Sequence, residues 1–327
     1  MTDRERWDAL LDGSPDGLLF HKWRFLELVE RHSGYRWLPL GCYWGGELMA
    51  VIPLFYRRRL GVNMVFSPPP QTGVPYLGFA FKAEYAGLKP MRQEEIFRLM
   101  VEELEQYLHS LRPDFVSISL HPGWRDVRPF LWEGYQAVPG FTYLLSLERP
   151  LAEIWDGLNS NLRNRIRKAR KDDLRVVPAV DPAGVFGLLQ RRYQEQGLRL
   201  PLFSAAYLAE LLAAFPEELR VYAICAGDDP APLSMMICHE YKRFLLWLGG
   251  SRIPGASEGN YLAMWEMLVR AQAAGMSEFD FSGAGQQNLS HFKAQFNSRL
   301  EVAFTVQKKG RLGRAAEWGY QNFIKRL

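Results

Sequence analysis

Cysteine is scarce in this chain: Cys42, Cys225 and Cys238 are the only three among 327 residues. The count is odd, the three lie far apart, and no CxxC occurs. That excludes a disulfide framework and a cysteine-built zinc site, and it fits a reducing compartment. Neither HExxH nor a Cys/His metal spacing is present, so no metal is expected. Long apolar runs are also missing. None reaches the roughly 20 residues that a membrane-spanning helix needs. The first residues, MTDRERWDALLDGSPDG, lack the apolar stretch of a secretory leader. A soluble cytoplasmic protein is the expectation. Strong charge of one sign is absent as well: 40 Lys and Arg against 36 Asp and Glu give a formal +4. Such a balance permits an anionic partner without requiring one.

Apolar residues, by contrast, are plentiful. They make up 48% of the chain, with 13% aromatic, which is ample for sizeable cores. The length suggests two domains, divided near residue 150 into 1–150 and 151–327. Helical and strand patterns alternate throughout, so the expected class is α/β with mixed sheets. In the first half, HKWRFLELVERHSG reads as a helix closed by Gly34. LPLGCYWGGELMAVIPLFYRRR reads as a hairpin turning at Gly45-Gly46. SPPPQTGVPYLGF is an ordered loop, in which Pro68, Pro69, Pro70 and Tyr76 are candidates to line an acceptor cleft. QEEIFRLMVEELEQYLHSL is an amphipathic helix, and VSISL and FTYLLSL are buried strands.

The second half repeats the style. Its first segment, LAEIWDGLNSNLRNRIRKARK, reads as one helix that joins the halves. Trp155, Leu158, Leu162, Ile166 and Ala169 recur at spacings of three and four and form an apolar stripe. Residues 161–171 carry six cations in eleven positions, of which Arg163, Arg167, Arg170 and Lys171 share another face. Like charges four residues apart repel. Only Asp172-Asp173 offers nearby acid in the sequence. An anionic ligand would relieve the repulsion; a plain solvated face is the competing reading.

Further on, FLLWLGG ends a strand, SRIPGASEG forms a Gly- and Ser-rich loop, and NYLAMWEMLVRAQAAG begins a long helix. Helix N-termini present unpaired N–H groups and the positive end of a dipole, which suits a pyrophosphate. The residues implied are Gly249, Gly250, Arg252, Gly255, Ser257, Gly259 and Asn260. The loop matches neither a Walker A motif nor GxGxxG. Next comes FDFSGAGQQNLSHFKAQF, with Asp280 on a short strand and His291 and Lys293 on a short helix. Alternation along the strand would bury Phe279 and Phe281 and turn Asp280 to the opposite face. A capping role for Asp280 and a snorkelling Lys293 are the structural alternatives. A basic amphipathic end, KKGRLGRAAEWGYQNFIKRL, fits either a helix packed on the second domain or one lying on an anionic membrane surface.

The order SNLRNRIRKARK, then GNYLAMWEMLVRAQAAGMSEFDFSGA, then LSHFKAQF resembles the FemABX-like branch of the GNAT superfamily. That branch includes the peptidoglycan-bridge aminoacyltransferases, and the compact Fem-related or CelD-like bacterial members are more similar still. The resemblance covers nearly all of the second half, and the first half only in pattern. It implies two tandem GNAT-like domains with splayed mixed sheets. It implies acyl transfer to an amine, or to a hydroxyl, from acyl-CoA or aminoacyl-tRNA, with no tightly bound cofactor. Lys293 matches a functional lysine that stabilises charge on the transferred group. The loop from Arg252 to Asn260 would hold the pyrophosphate of the donor, and Arg163, Arg167 and Lys168 an anionic substrate. RIPGASEG matches the usual GNAT loop only in part, and Glu195-Gln196 replaces a dyad common in relatives, so the donor stays open between the two.

Such enzymes contribute orientation, an oxyanion stabiliser and a base. Asp280 is a candidate base because of its place beside the donor loop, and His291 is its rival. No Ser or Cys stands in a triad pattern. The expected partners are a small-molecule or glycan-precursor acceptor of the cell envelope, with tRNA and the inner membrane surface as further candidates, but no DNA. Two other classes compete: a non-catalytic protein of the same fold that docks an anionic glycan-lipid or tRNA, and a nucleic-acid binder using 161–171.

Overall fold

The computed structural model describes residues 2–179, 181–195, 197, 199–229, 231–249, 258–310 and 313. In chain order the elements are α1 (Asp3–Gly13), α2 (Trp23–Ser33), β1 (Arg36–Trp44), β2 (Glu47–Arg59), β3 (Val62–Ser67), β4 (Ala80–Phe81), α3 (Ala83–Ala86), α4 (Pro90–Leu111), β5 (Phe115–Ser119), α5 (Arg128–Trp132) and β6 (Gln136–Ser146). They continue as α6 (Leu151–Gly157), α7 (Ser160–Lys171), β7 (Leu174–Ala179), α8 (Pro182–Glu195), α9 (Ala205–Ala214), β8 (Leu219–Ala226), β9 (Ser234–Tyr241), β10 (Arg243–Gly249), α10 (Gly259–Ala273), β11 (Glu278–Asp280), α11 (Gln287–Ala294) and β12 (Arg299–Lys309). The terminal segment expected to be a helix lies outside the described residues apart from Gly313.

Two units are formed, but not by a single cut at 150. One takes the chain up to Gly140 together with the strand from Val302, and the other is Phe141–Glu301. The physical reason is strand pairing. β12 returns to the first unit, where Thr305–Lys309 pairs antiparallel with β5.

In the first unit the strand order is β1-β2-β3-β5-β12, with β4 on β2. The β1–β2 hairpin turns at Gly45 and Gly46, both at positive φ, as a two-residue turn matched to strand twist requires. Gly34 closes α2 in the left-handed conformation. The core between sheet and α4 includes Leu54, Val65, Phe79, Phe81, Phe97, Val101, Ile118 and Phe130. β3 and β5 run parallel from Met64–Phe115 to Ser67–Ile118. Beyond that point the loop after β3 takes over. Leu77 makes a parallel bridge to Leu120, and its N–H donates to Ser119 O at 2.8 Å. The Gly78 N–H donates to Ser67 Oγ at 3.1 Å. Gly78 has φ +71, and a Cβ there would stand 2.8 Å from Leu120 Cδ2. Tyr76 is buried in the same loop. The first unit therefore fills the carboxyl end of its parallel strand pair with its own chain.

In the second unit the order is β6-β11-β10-β9-β8-β7. The parallel pair here is β10 and β11, in register only at Phe244–Phe279 and Leu245–Asp280. β11 then ends, while β10 continues to Gly249 along β9. α7 and α10 pack on one face over Leu162, Ile166, Ala169, Leu262, Met267 and Leu268.

The stretch expected to be one helix is two. The apolar stripe holds, with Leu158, Leu162, Ile166 and Ala169 buried and Trp155 partly so. However, Leu158 and Asn159 take extended ψ values of 148° and 136°. Asn159 then starts α7 anew, its side chain accepting from Asn161 N at 2.9 Å. Its own N–H donates to Gln295 O at 3.0 Å, which ties the break to the residues after α11.

Candidate active site

The site is built where β11 ends. Phe279, Asp280 and Phe281 are all fully buried, because this central strand is covered on both faces. Simple alternation therefore did not decide exposure here. Phe279 stacks on Phe244 with centroids 4.6 Å apart, and the rings continue to Phe281, Phe296 and Phe292 at 4.7, 5.1 and 5.7 Å. This row connects the strand pair to α11. Phe296→Ala should cost about 3–5 kcal/mol, read as a lower urea midpoint, and should loosen the helix that carries Lys293.

Lys293 is buried, at 7% exposed. Its ammonium donates to the carbonyls of Ser282 and Gly283. It does not snorkel. Burial lowers its pKa from the ordinary 10.5 to about 8, and the charge of Asp280 opposes that fall. Asp280 has no exposed surface. Its Oδ1 accepts from Thr142 Oγ1 at 2.6 Å and from Ser282 N at 2.7 Å. The second bond closes a short turn in which Ser282 sits at φ +58, a conformation that costs a non-glycine residue about 1 kcal/mol. The backbone around this turn is pinned to β6: Phe281 N donates to Tyr143 O at 2.9 Å, and Ala284 N to Phe141 O at 2.7 Å. The Tyr143 hydroxyl lies 3.1 Å from Ser290 Oγ on α11.

The structure thus brings Asp280 and Lys293 to one turn and adds Thr142, Ser282 and Gly283. The available signal for Thr142 was a small hydroxyl inside the largely apolar strand FTYLLSL. His291 is exposed on α11. Of the donor-loop residues, Gly250, Arg252, Gly255 and Ser257 lie outside the described residues. Gly259 and Asn260 form the first turn of α10, with Gly259 buried. Gly249 marks the other end of the loop at φ +146, and a Cβ there would lie 2.5 Å from Met236 Cα.

The basic helix is less bare than its sequence implied. Arg163 reaches Asp156 at 3.4 Å, Lys168 reaches Asp172 at 3.2 Å and Glu258 at 3.6 Å, and Arg170 reaches Glu266 at 2.9 Å. Two of these acids, Glu258 and Glu266, arrive from the α10 region, so local sequence could not show them. Lys168 with Glu258 also fastens α7 to the start of α10. Arg165 lies over the Tyr261 ring at 5.0 Å. Arg167 bonds Asn164 and lies 5.5 Å from the Trp155 ring, with no carboxylate partner among the described residues. No described helix is long and apolar enough to cross a membrane. No group of three or more metal-ligating side chains occurs among the described residues.

Comparison with known proteins bears on this geometry. Residues 158–294 match the acetyltransferase (GNAT) domain family. No curated protein matches the chain. The solved structure of FemX is similar over 99% of both chains, with a TM-score of 0.71 at 12% identity. L-PGS from Bacillus licheniformis is similar over 99% of this chain and 98% of its own, with a TM-score of 0.59 at 11% identity. A tandem GNAT protein from the clavulanic acid biosynthesis pathway covers 93% and 94%, with a TM-score of 0.53 at 10% identity. Residues 158–294 thus match the GNAT acetyltransferase domain family, and the chain as a whole shares its fold with FemX and with a tandem GNAT protein.

Proposed function

We propose that the second unit transfers an acyl group from acyl-CoA to an amine, with Lys293 stabilising the charge that develops on the donor. The observation that carries this reading is the buried Lys293 ammonium, held by the Ser282 and Gly283 carbonyls at the carboxyl end of β11. Two of its three N–H donors are used there, which leaves the third for a donor oxygen or sulfur. In the transfer the amine nitrogen attacks the thioester carbonyl, a C–N bond forms, and the C–S bond breaks. The amine proton leaves to a base, and the departing thiolate takes up a proton. An ammonium fixed in a water-poor site favours the anionic intermediate over the neutral thioester.

Asp280 was a candidate base. Its full burial, and the two bonds accepted by Oδ1, favour a holding role: it shapes the turn and supplies the counter-charge for Lys293. The proton acceptor in this reading is the solvent or the substrate.

In this reading the donor binds at the loop between Gly249 and Gly259, after which α10 begins. Gly250, Arg252, Gly255, Ser257, Gly259 and Asn260 are its proposed contacts. The match to an acetyltransferase family favours acyl-CoA over aminoacyl-tRNA as donor. In the first unit Leu77 and Gly78 close the end of the strand pair, which argues against a second donor site there. The acceptor we propose is an anionic precursor of the cell envelope. Likeness to FemX and L-PGS supports this, as does the cationic α7 surface of Arg163, Arg167 and Lys168. Arg167 is the member whose charge is least compensated.

The test is thiol release from acetyl-CoA with a panel of amines, including amino sugars, amino acids and amino-sugar nucleotides. The expected result is saturable release with at least one of them, lost in Lys293→Met. CoA binding without release from any amine would instead favour a binding protein that has kept the fold.

A further inference from the structure

We propose that Thr142 is a positioning residue for Lys293: its hydroxyl fixes the Asp280 carboxylate that shapes the Ser282–Gly283 turn and balances the buried ammonium. The inference rests on the reading of Lys293 as the charge stabiliser. It begins with β6, where three consecutive residues hold the site. Phe141 O receives the Ala284 N–H, Tyr143 O receives the Phe281 N–H, and between them the Thr142 side chain reaches Asp280. The backbone bonds would survive any substitution at 142. The side-chain bond is what a threonine adds.

Thr142 is 2% exposed, and Asp280 has no exposed surface. An ionised carboxylate has only acceptors, so the hydroxyl donates, and at 2.6 Å the bond has the length of a charge-assisted one. Valine has nearly the same shape and suits a strand equally well, but it has no proton to give. The hydroxyl therefore has an electrostatic use beyond packing. Without it, the carboxylate keeps the Ser282 N–H but loses a strong donor in a site closed to water. The carboxylate is then held less firmly beside the ammonium. It offsets the burial of Lys293 less well, and the ammonium gives up its proton at lower pH.

The charged neighbours can be named. Asp280 on β11 is the charged group that acts directly on Lys293. Glu278 on the same strand interacts with Asp280 and is itself close to Arg243 at 3.7 Å and Arg299 at 3.9 Å. On α11, His291 is exposed. From β6 the polar groups facing the turn are Thr142 and Tyr143, with the Tyr143 hydroxyl on Ser290.

The experiment follows the Lys293 side chain by NMR in protein carrying labelled lysine, with Lys293→Met identifying the resonance. Thr142→Val and Thr142→Ser are titrated alongside the parent, and the pH profile of thiol release is recorded for each. Thr142→Val should move both the titration and the descending limb of activity to lower pH by about one unit, which is a tenfold fall in the protonated-to-neutral ratio at a given pH. Thr142→Ser should restore both, and the apparent affinity for the donor should not change. A Thr142→Val protein that titrates like the parent overturns the proposal, as does a folded Thr142→Ser that titrates like the valine variant. Should valine prevent folding, Thr142→Ala serves, with a smaller shift in the same direction; no shift there is equally fatal. If the titration shifts while the activity profile does not, the positioning of the ammonium stands, and it is the role of Lys293 in transfer that fails.

Discussion

Lys293→Met should abolish transfer while leaving the protein at least as stable as before. The fall in kcat is expected to be on the order of 10²–10³-fold, the usual cost of removing one fixed donor from a developing charge. The stability half follows from the direction of the pKa shift. The folded-state value is about 8 against the ordinary 10.5. At neutral pH both states hold the proton, and the folded chain bears the cost of burying a charge that the unfolded chain leaves in water. That cost is up to about 3 kcal/mol, and methionine, of similar length and apolar, avoids it. The carbonyl of exposed Gly283 can turn to water in its absence. A gain of about 1–3 kcal/mol at pH 7 is expected from denaturant unfolding. The gain should narrow as pH rises. Between about 8 and 10.5 the folded parent has released the proton that its unfolded chain still holds, so the parent gains stability with pH across that window. A methionine variant that is less stable at every pH would show the lysine to be a structural brace.

Gly249→Val should cost donor binding more than it costs the fold. At φ +146, with Met236 Cα only 2.5 Å from where a Cβ would be, no side chain fits unless the end of β10 moves off β9. The neighbour is backbone and cannot turn aside. The strand ends at this residue, so the shift passes into the loop proposed to hold the donor pyrophosphate. A displacement near 1 Å is worth about 10²-fold in a positioned site. Calorimetric titration with CoA should show the affinity reduced by about that factor. The melting temperature should fall by only a few degrees, since the core of β10 at Phe244, Leu245 and Trp247 is untouched. Unchanged CoA affinity in a folded variant would place the donor elsewhere.

The sequence carried much of this, for reasons that can be traced. The Gly45-Gly46 turn and the Gly34 cap were legible because only glycine accepts those φ values readily. The stripe from Leu158 to Ala169 was legible because burial follows helical spacing. Lys293 and Asp280 each stood out in the sequence, and they lie 13 residues apart on the strand and helix of one compact motif; their meeting at one turn was not legible. What escaped was long-range. Thr142 is 138 residues from Asp280, and Glu266 is 96 from Arg170. No local pattern announces either contact. The break at Leu158-Asn159 escaped because it is held from outside, by Gln295, in a stretch whose own periodicity ran on without interruption. The return of β12 to the first unit escaped for the same reason: pairing with β5 is decided by a partner about 190 residues away.

The most direct test of the account is calorimetric titration of the whole chain with CoA, giving the number of sites as well as the affinity. In the second unit the parallel pair ends at Leu245–Asp280, whereas in the first Leu77 and Gly78 continue past the end of the pair. The predicted result is one saturable site per chain, weakened in Gly249→Val and retained in Lys293→Met. Absence of binding, or two equivalent sites, would contradict the account.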